Sequence, residues 1–302
     1  MKNRPLVSIG MPVYNDKRFL SKAIHSLLSQ TFEDFELIIA DDGSTDGSEE
    51  ICRSIAASDS RVHYIRHEKN IGISKNMIFL LNQAEGKYFM WAANDDIWDK
   101  DFICELLRPL QEHDDAIASF APYTFINEED GFINENTVRR INYNARKPFQ
   151  RLHKLVRYFD DGFGYGLFVR EAILNVHFPV WKWINRKCAY NNIYPALCFY
   201  LAKGNFYLTS GRPLWFNRLK APENINHKTP YGDTFIRYLF AFFVRKINLV
   251  AESLKAIYRG SNNFSLVFSI APMMIFTWIG YHTAYETYLR LKLFLKGRIN
   301  FF

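Results

Sequence analysis

Short apolar runs alternate with segments of helical periodicity through the first 121 residues of the chain. Five of these runs have the length and composition of buried strands, and they occupy residues 6–11, 35–40, 62–65, 88–92 and 116–121. Between them, apolar side chains recur three and four residues apart in the stretches 19–29, 49–57, 74–84 and 102–111. Because strands that are joined through helices pair in parallel and are buried on both faces, the pattern predicts an α/β fold with a mostly parallel sheet flanked by helices.

Polar clusters follow three of the predicted strands, namely Tyr14-Asn15-Asp16, Asp41-Asp42 and Asn94-Asp95-Asp96. Neighbouring parallel strands end at the same edge of a sheet, so these clusters are expected to converge on one crevice. The adjacent carboxylates of the third cluster are costly to bury unless something pairs with them, and Mg²⁺ or Mn²⁺ bound to substrate phosphates is a suitable partner. The alternative is that Asp95 or Asp96 only caps the helix that follows.

The glycine-rich phosphate loops of two common nucleotide-binding classes are missing. No GxGxxG motif follows the first strand, and GxxxxGK[ST] occurs nowhere, which argues against a dinucleotide-dependent oxidoreductase and a P-loop NTPase. Acidic groups after the second strand can accept hydrogen bonds from a ribose or a base, and those after the fourth can hold a metal on a diphosphate. The division between these two clusters therefore suggests a nucleoside-diphosphate ligand.

Four motifs in succession resemble those of family 2 glycosyltransferases with the GT-A fold. They are Pro12-Val13-Tyr14-Asn15, the stretch QTFEDFELIIADDGSTD at 30–46, Asn70-Ile71-Gly72 with Asn76, and Asn94-Asp95-Asp96. The similarity covers roughly residues 5–125. It implies an inverting sugar transfer from a nucleotide-activated donor, UDP being the expected nucleotide, with Mn²⁺ or Mg²⁺ as cofactor.

The resemblance also implies which residues form the site. Those expected to bind the donor are Pro12, Tyr14, Asn15, Asp41, Asp42, Asn70, Lys75, Asn76, Asn94 and Asp95. Within this set Asp42 contacts the base and Asp95 faces the ribose or sugar, while Asp96 holds the metal. The chain departs from the family twice: Lys75 stands near a position where many relatives carry arginine, and Ala93 replaces the first acid of a DxD motif.

The catalytic base that the resemblance implies is missing from its expected place. That acid should lie within 185–195, where this chain has Asn191-Asn192, and no acid occurs between Glu171 and Glu223. Neutral amides cannot take a proton from an acceptor hydroxyl. The nearest candidates are Asp160 and Asp161, before the glycine-rich segment 162–166, although Asp-Asp-Gly is equally typical of an exposed turn. Two readings follow: an active enzyme with a displaced base, or a non-catalytic nucleotide- or glycan-binding protein that keeps the fold.

The last third of the chain is aromatic and apolar. Residues 260–285 contain no Asp, Glu, Lys or Arg, and the basic side chains Arg290, Lys292, Lys296 and Arg298 follow. The dense apolar run 266–281 is borderline against the ~20 residues that a spanning helix needs, and Pro272 can divide it into two in-plane pieces. An in-plane or re-entrant placement is therefore favoured slightly over a full span. Basic residues beside such a run favour anchoring to anionic lipid, with a core helix as the alternative.

These observations define the expected organisation and partners. Residues 1–222 form the transferase domain, divided into a nucleotide-sugar half (1–125) and an acceptor half (126–222), and 223–302 form a helical membrane-associating region. The acceptor is expected to be a glycan, free or lipid-linked, at the cytoplasmic face of the cell membrane, in the synthesis of a cell-surface polysaccharide such as lipopolysaccharide.

Other partners and compartments are not favoured by the sequence. The chain has a net charge of +7, and its positive charge follows the apolar C-terminal region. The nucleotide half has no basic face interleaved with aromatic side chains, so no nucleic-acid partner is expected. A nucleotidyltransferase would need a Lys/Arg cluster at the first loop, and residues 12–16 offer none. Four cysteines without CxxC spacing, and no signal peptide before the first strand, predict a reduced, cytosol-facing protein.

Overall fold

The N-terminal half alternates strand and helix as predicted. The computed structural model describes residues 4–133, 142–158, 162–179, 181–183, 186–188, 193–209, 211–220 and 235–281. The first elements are β1 (Val7–Val13), α1 (Lys17–Leu28), β2 (Phe35–Asp41), α2 (Ser48–Ser58), β3 (Val62–Arg66), α3 (Ile73–Gln83), β4 (Tyr88–Trp91), β5 (Ile97–Trp98), α4 (Phe102–Glu112) and β6 (Ala116–Phe120). The five predicted strands and four predicted helices are all present, with ends displaced by at most two residues.

Further strands and helices fill the part of the chain in which the sequence predicted few elements. They are β7 (Tyr123–Ile126), α5 (Pro148–Tyr158), β8 (Leu167–Val169), α6 (Arg170–Ile173), β9 (Trp181–Trp183), β10 (Arg186–Cys188), α7 (Ile193–Lys203), β11 (Asn205–Leu208), β12 (Trp215–Arg218), α8 (Phe235–Ser261) and α9 (Phe264–Met274). A 3₁₀ turn precedes β8 at Gly162–Tyr165, and a π-helix continues α9 over Ile275–Tyr281.

The main sheet has seven strands in the order β11-β6-β8-β4-β1-β2-β3. Every pairing in it is parallel except those of β8, which runs antiparallel to both of its neighbours, β4 and β6. The expected mostly parallel sheet is therefore confirmed. The polar residues that follow β1, β2 and β4 consequently lie at one edge of this sheet, because these strands are adjacent and point the same way.

A second, three-stranded sheet crosses that edge. In it β12 pairs in parallel with β7 and antiparallel with β5, so Trp215 stands opposite both Tyr123 and Trp98. None of these three strands is longer than four residues, and none was predicted. Their pairing brings a segment from near residue 217 against the loop that carries Asp95 and Asp96.

Strand β1 is longer than the sequence predicted. The predicted strand 6–11 stops before Pro12, but Pro12 and Val13 continue the register beside Ala40 and Asp41 of β2. The carbonyl of Gly10 accepts the last bond from the β4 side, from the N–H of Ala92. Pro12, two residues later, points to the same side beyond the end of β4, so its missing N–H costs no sheet hydrogen bond.

Two apolar cores lie on opposite faces of the sheet. Alternate residues of β2 divide between them: Leu37 and Ile39 pack with α1, α2 and α4, whereas Ile38 and Ala40 pack in the cluster that contains α3, α5 and α7. Residues of α8 and α9 belong to this second cluster, including Ile257 in α8. The C-terminal helices thus share a core with the predicted transferase domain, while the proposed division at residue 222 stays a prediction.

The C-terminal helices turn at a different point from the one predicted. Helix α9 passes through Pro272, and the break falls between α8 and α9, where Asn262 has φ +50° and Asn263 accepts a hydrogen bond from the N–H of Leu266 at 3.2 Å. Such a side-chain acceptor is a helix N-cap. Of the helices in the described ranges, none combines the length and apolar character that crossing a membrane requires.

Candidate functional site

The loops after β1 and β2 form one continuous surface. The backbone N–H of Asn15 donates to Ser44 Oγ at 3.0 Å, and Asn15 Oδ1 accepts from the N–H of Thr45 at 2.7 Å. Asn15 has φ +49°, a left-handed conformation that asparagine tolerates better than most residues. Tyr14, beside it, is 51% exposed, and Pro12 is half-buried. The first two polar clusters therefore converge, with the tyrosine ring on the open side.

The two carboxylates after β2 are buried and fixed by hydrogen bonds. Asp41 accepts from the N–H of Ser44 and from the Tyr64 hydroxyl, both at 2.8 Å. Burial, and then the Asp41 carboxylate, raise the pKa of Tyr64 far above its usual value, so the phenol stays a donor. Asp42 accepts from the N–H groups of Ile71 and Gly72 at 2.7 and 2.9 Å. Both acids thus shape the loops, and their contacts with a base or ribose stay predictions.

The loop before α3 is tied to the end of β2. The Asn76 side chain, 1% exposed, donates to the carbonyl of Ala40 at 2.8 Å and lies 3.0 Å from a ring nitrogen of His67. Asn70 and Lys75, which flank this anchor, are exposed at the same edge. Of the three residues predicted to bind the donor here, Asn76 is a buried brace and the other two are accessible.

Asp96 is the most tightly held acid of the site. Its side chain is 1% exposed and accepts hydrogen bonds from Trp215 Nε1 at 2.8 Å, from Arg218 N at 2.8 Å and from Asn217 Nδ2 at 3.3 Å. Burial, followed by the charge of the adjacent Asp95, raises the pKa of Asp96 to about 7, and the three donors oppose that rise. The side chain points into the second sheet and joins β5 to β12.

Asp95 faces the crevice that Asp96 turns away from. Its side chain is 21% exposed, and Oδ2 lies 2.8 Å from Lys220 Nζ. The same ammonium also contacts Asp16, whose side chain is 24% exposed. Asn94, which precedes the pair, is half-buried. This ion pair connects the third polar cluster to the first, so all three clusters predicted to converge do meet.

The residues present do not fit the predicted Mn²⁺ or Mg²⁺ ion. Such ions take oxygen ligands that are free to coordinate, and both oxygens of Asp96 already accept protein hydrogen bonds. Asp95 is paired with an ammonium group, and Ala93 supplies no acid. Within the described ranges, no group of three His, Cys, Asp or Glu side chains could hold a metal. The prediction that Asp96 is the metal ligand thus gains no support from the geometry.

The sequence analysis missed the contribution of β12. Arg218 is buried; its Nε donates to the carbonyl of Asp95 at 2.7 Å and its guanidinium lies 2.6 Å from Asp130 Oδ1. Lys220 follows two residues later, on the same side of the chain. The available signal was the alternation of Arg218 and Lys220 after the apolar run 214–216, which is typical of a strand that leaves the core.

The acceptor side is only partly within the described residues. Asp160 and Asp161, the candidate bases, and Asn191-Asn192 lie outside them. The adjacent glycines have a packing role: a Cβ on Gly162 would lie 2.2 Å from the Tyr123 ring, and one on Gly166 would lie 2.4 Å from the Ser119 carbonyl. These glycines therefore allow close approach of the backbone to β6 and β7.

Glycosyltransferases are similar to this chain in sequence. The sequence profile of Glycosyl transferase family 2 matches residues 8–174, more than half of the chain. Glycosyltransferase GlyA of Streptococcus pneumoniae is 34% identical over 125 residues, 41% of this chain and 18% of that protein. The putative teichuronic acid biosynthesis glycosyltransferase TuaG of Bacillus subtilis is 33% identical over 126 residues, 42% of this chain and 50% of that protein. The chain thus spans half or less of the length of these relatives.

Solved structures share the fold at low sequence identity. S. aureus TarS 1–349, in complex with UDP-GlcNAc, gives a TM-score of 0.58 at 15% identity and covers 89% of this chain and 74% of its own. The mannosyltransferase PcManGT from Pyrobaculum calidifontis, in complex with GDP-Man and Mn²⁺, gives 0.55 at 14% identity, covering 94% and 74%. These similarities establish a common α/β fold.

Substituting Asp96 should change how stability depends on pH. Because the pKa of this acid is higher in the folded state than its ordinary value of 3.8, the folded protein binds the extra proton between about pH 4 and about pH 7. The stability this contributes is present at low pH and is lost as the pH rises through about 7. Urea unfolding should therefore show a smaller loss of stability between about pH 5 and about pH 8 in Asp96→Asn than in the wild type.

The matched control is Asp114→Asn, at an exposed position in the loop after α4. It should keep the wild-type pH dependence, since its exposed side chain takes no part in the hydrogen bonds that hold Asp96. Equal pH dependence in Asp96→Asn and the wild type would show that Asp96 is not the buried, proton-binding acid that its contacts indicate.

Proposed function

The chain belongs to Glycosyl transferase family 2, and from this premise we propose that it transfers a sugar, with inversion, from a nucleoside-diphosphate sugar to a glycan acceptor. The observation that carries the proposal is the crevice where the loops after β1, β2 and β4 meet, connected through Asn15 and through the contacts of Lys220 with Asp16 and Asp95. An open crevice at the carboxyl ends of parallel strands is the usual ligand site of such sheets.

The nucleoside is proposed to lie on the Tyr14 side of this crevice. Tyr14, Asn70 and Lys75 are exposed there, while Asp42 and Asn76 hold the loops beneath them. An exposed ring can stack on any base, and a lysine can pair with a phosphate. TarS was solved with UDP-GlcNAc and PcManGT with GDP-Man, which supports a nucleotide-sugar donor, with UDP as the first to test.

The proposed reaction places charge on the diphosphate. An acceptor oxygen attacks the anomeric carbon, the bond from that carbon to the phosphate oxygen breaks, and its electron pair leaves with the nucleoside diphosphate. Preorganised positive charge beside that group accelerates the step. The Mn²⁺ or Mg²⁺ ion that the resemblance implies finds no free carboxylate at Asp95, and Lys220 is the source of positive charge that the described contacts favour.

Removing the Tyr14 ring should weaken nucleotide binding without unfolding the protein. Stacking of a base on an aromatic side chain contributes about 1–3 kcal/mol, so Tyr14→Ala should lower the affinity for UDP roughly 5- to 150-fold in calorimetry. The control is Tyr158→Ala at the end of α5, because Tyr158 is 53% exposed against 51% for Tyr14. If both variants bind UDP like the wild type, the nucleoside does not lie against Tyr14.

The acceptor proton needs a base, and Asp160 and Asp161 are the proposed candidates. A positioned base contributes about 100- to 10,000-fold in rate. We expect Asp160→Asn or Asp161→Asn to lose sugar transfer by a factor in that range while the affinity for the nucleotide stays unchanged. Full transfer in both variants would exclude these residues as the base. Donor binding by the wild type with no turnover on a panel of glycan and lipid-linked acceptors would favour the non-catalytic binding protein.

The acceptor is proposed to be lipid-linked and met at the cytoplasmic face of the membrane. Helix α9 and its π-helical continuation carry apolar side chains on two sides: Ile270 and Trp278 are fully buried, whereas Phe264, Phe268 and Phe276 are 62%, 75% and 76% exposed. Exposed aromatic side chains along one side of a helix are typical of proteins that lie on a lipid surface. The basic residues after position 289 lie outside the described residues, and their sequence position suits anionic headgroups.

Replacing the three exposed phenylalanines should greatly weaken membrane binding. Each buried aromatic side chain contributes about 1.5–3 kcal/mol, so the triple variant Phe264→Ser, Phe268→Ser, Phe276→Ser should lose most of its co-sedimentation with phosphatidylglycerol vesicles. The control is the double variant Phe132→Ser, Phe149→Ser. These two phenylalanines are 53% and 39% exposed and lie elsewhere on the surface. Equal sedimentation of all three proteins, or none by the wild type, would contradict lipid docking through α9.

A further inference from the structure

The Lys220 ammonium occupies the point where the first and third polar clusters meet. Nζ lies 2.8 Å from Asp95 Oδ2 and also contacts Asp16 Oδ2, and the three side chains are each between a fifth and a quarter exposed. We propose that this ammonium, rather than a divalent metal ion, supplies the positive charge that binds the donor diphosphate, so that donor binding is independent of metal. The inference rests on the proposed transfer from a nucleoside-diphosphate sugar.

The lysine is charged and keeps a hydrogen-bond donor for a ligand. Burial lowers the pKa of Lys220, but the hydrogen bonds to Asp16 and Asp95 more than offset this, and the pKa lies above its usual value. An ammonium group has three N–H donors, and its contacts with the described residues use two of them. The third can point into the crevice, toward a phosphate oxygen.

The position of the ammonium is fixed from both sides. Arg218, two residues earlier, stacks over the Phe19 ring at 4.4 Å and donates to the Asp95 carbonyl at 2.7 Å. Lys220 Nζ lies 5.8 Å from the centre of the same ring. The end of β12 and the loop after β4 are therefore held together, and a charge that is already in place needs no reorganisation when the leaving group ionises.

The carboxylates that a metal would need are already engaged. Asp96 accepts three hydrogen bonds inside the second sheet, and Asp95 and Asp16 each contact the Lys220 ammonium. A divalent ion at Asp95 would have to displace Lys220. When the bond between the anomeric carbon and the phosphate oxygen breaks, Lys220 keeps its proton and stabilises the released diphosphate, while the acceptor proton leaves with the base.

The experiment compares UDP with uridine, because only UDP carries the diphosphate. Calorimetry on the full chain in EDTA should show tighter binding of UDP than of uridine. Lys220→Met should lower the affinity for UDP about 10- to 100-fold, the effect of losing a charged hydrogen bond, and leave uridine unchanged. Lys220→Arg should keep most of the UDP affinity. The control Lys100→Ala, which removes an exposed lysine paired with Asp101, should behave like the wild type.

Manganese gives a second readout. Lys220→Met leaves Asp16 and Asp95 facing each other without a cation, so Mn²⁺ should raise UDP affinity in this variant and not in the wild type. The inference is overturned if EDTA abolishes the preference of the wild type for UDP over uridine, or if Lys220→Met binds UDP normally. Absence of binding by uridine, UDP, guanosine and GDP alike would overturn the proposed nucleotide-sugar function itself.

Discussion

The hydrogen bonds of Asp96 hold the crevice together. This acid accepts from Trp215 Nε1 and from the backbone N–H of Arg218, and so attaches β12 to the loop after β4. The guanidinium of Arg218 adds a bond to the Asp95 carbonyl. These contacts, together with the packing of Arg218 and Lys220 against the Phe19 ring, place Lys220 between Asp16 and Asp95. The geometry of the crevice thus depends on an acid that does not face it.

A common pattern links the acids and amides of the site. Four of these side chains are at most 3% exposed: Asp41, Asp42, Asn76 and Asp96. The three carboxylates accept hydrogen bonds from backbone N–H groups, and the amide of Asn76 donates one to a backbone carbonyl. Burying a polar group without a partner is expensive, so such residues fix loops firmly once they are paired. Lys75 and Asp95 are accessible, and each is next in sequence to one of these braces. Tyr14 follows Val13, whose carbonyl accepts a hydrogen bond from the N–H of Asp42. The buried residue thus holds the accessible residue beside it in a fixed position.

The sequence predicted five of the seven strands of the main sheet, because those five are strongly apolar runs separated by helical segments; it did not predict β8 and β11. The convergence of three polar clusters was also predictable, since it follows from parallel strands ending at one edge. The second sheet was not, because Trp98 pairs with Trp215, more than a hundred positions away, through strands of two to four residues. For the same reason Asp96 looked like a metal ligand: its donors are 119 to 122 residues distant in sequence. The predicted end of β1, before Pro12, was too early because the sequence does not reveal that β4 ends first.

The charges beside the proposed diphosphate site can be compared one residue at a time. Position 93 is an alanine, so the acids that contact the Lys220 ammonium are Asp16 and Asp95. A further carboxylate at position 93 would add a negative charge near the phosphates. Loss of the lysine would leave Asp16 and Asp95 facing a diphosphate without a cation. The alanine at position 93 and the lysine at position 220 therefore act in the same direction, because each limits the repulsion that a bound diphosphate would meet.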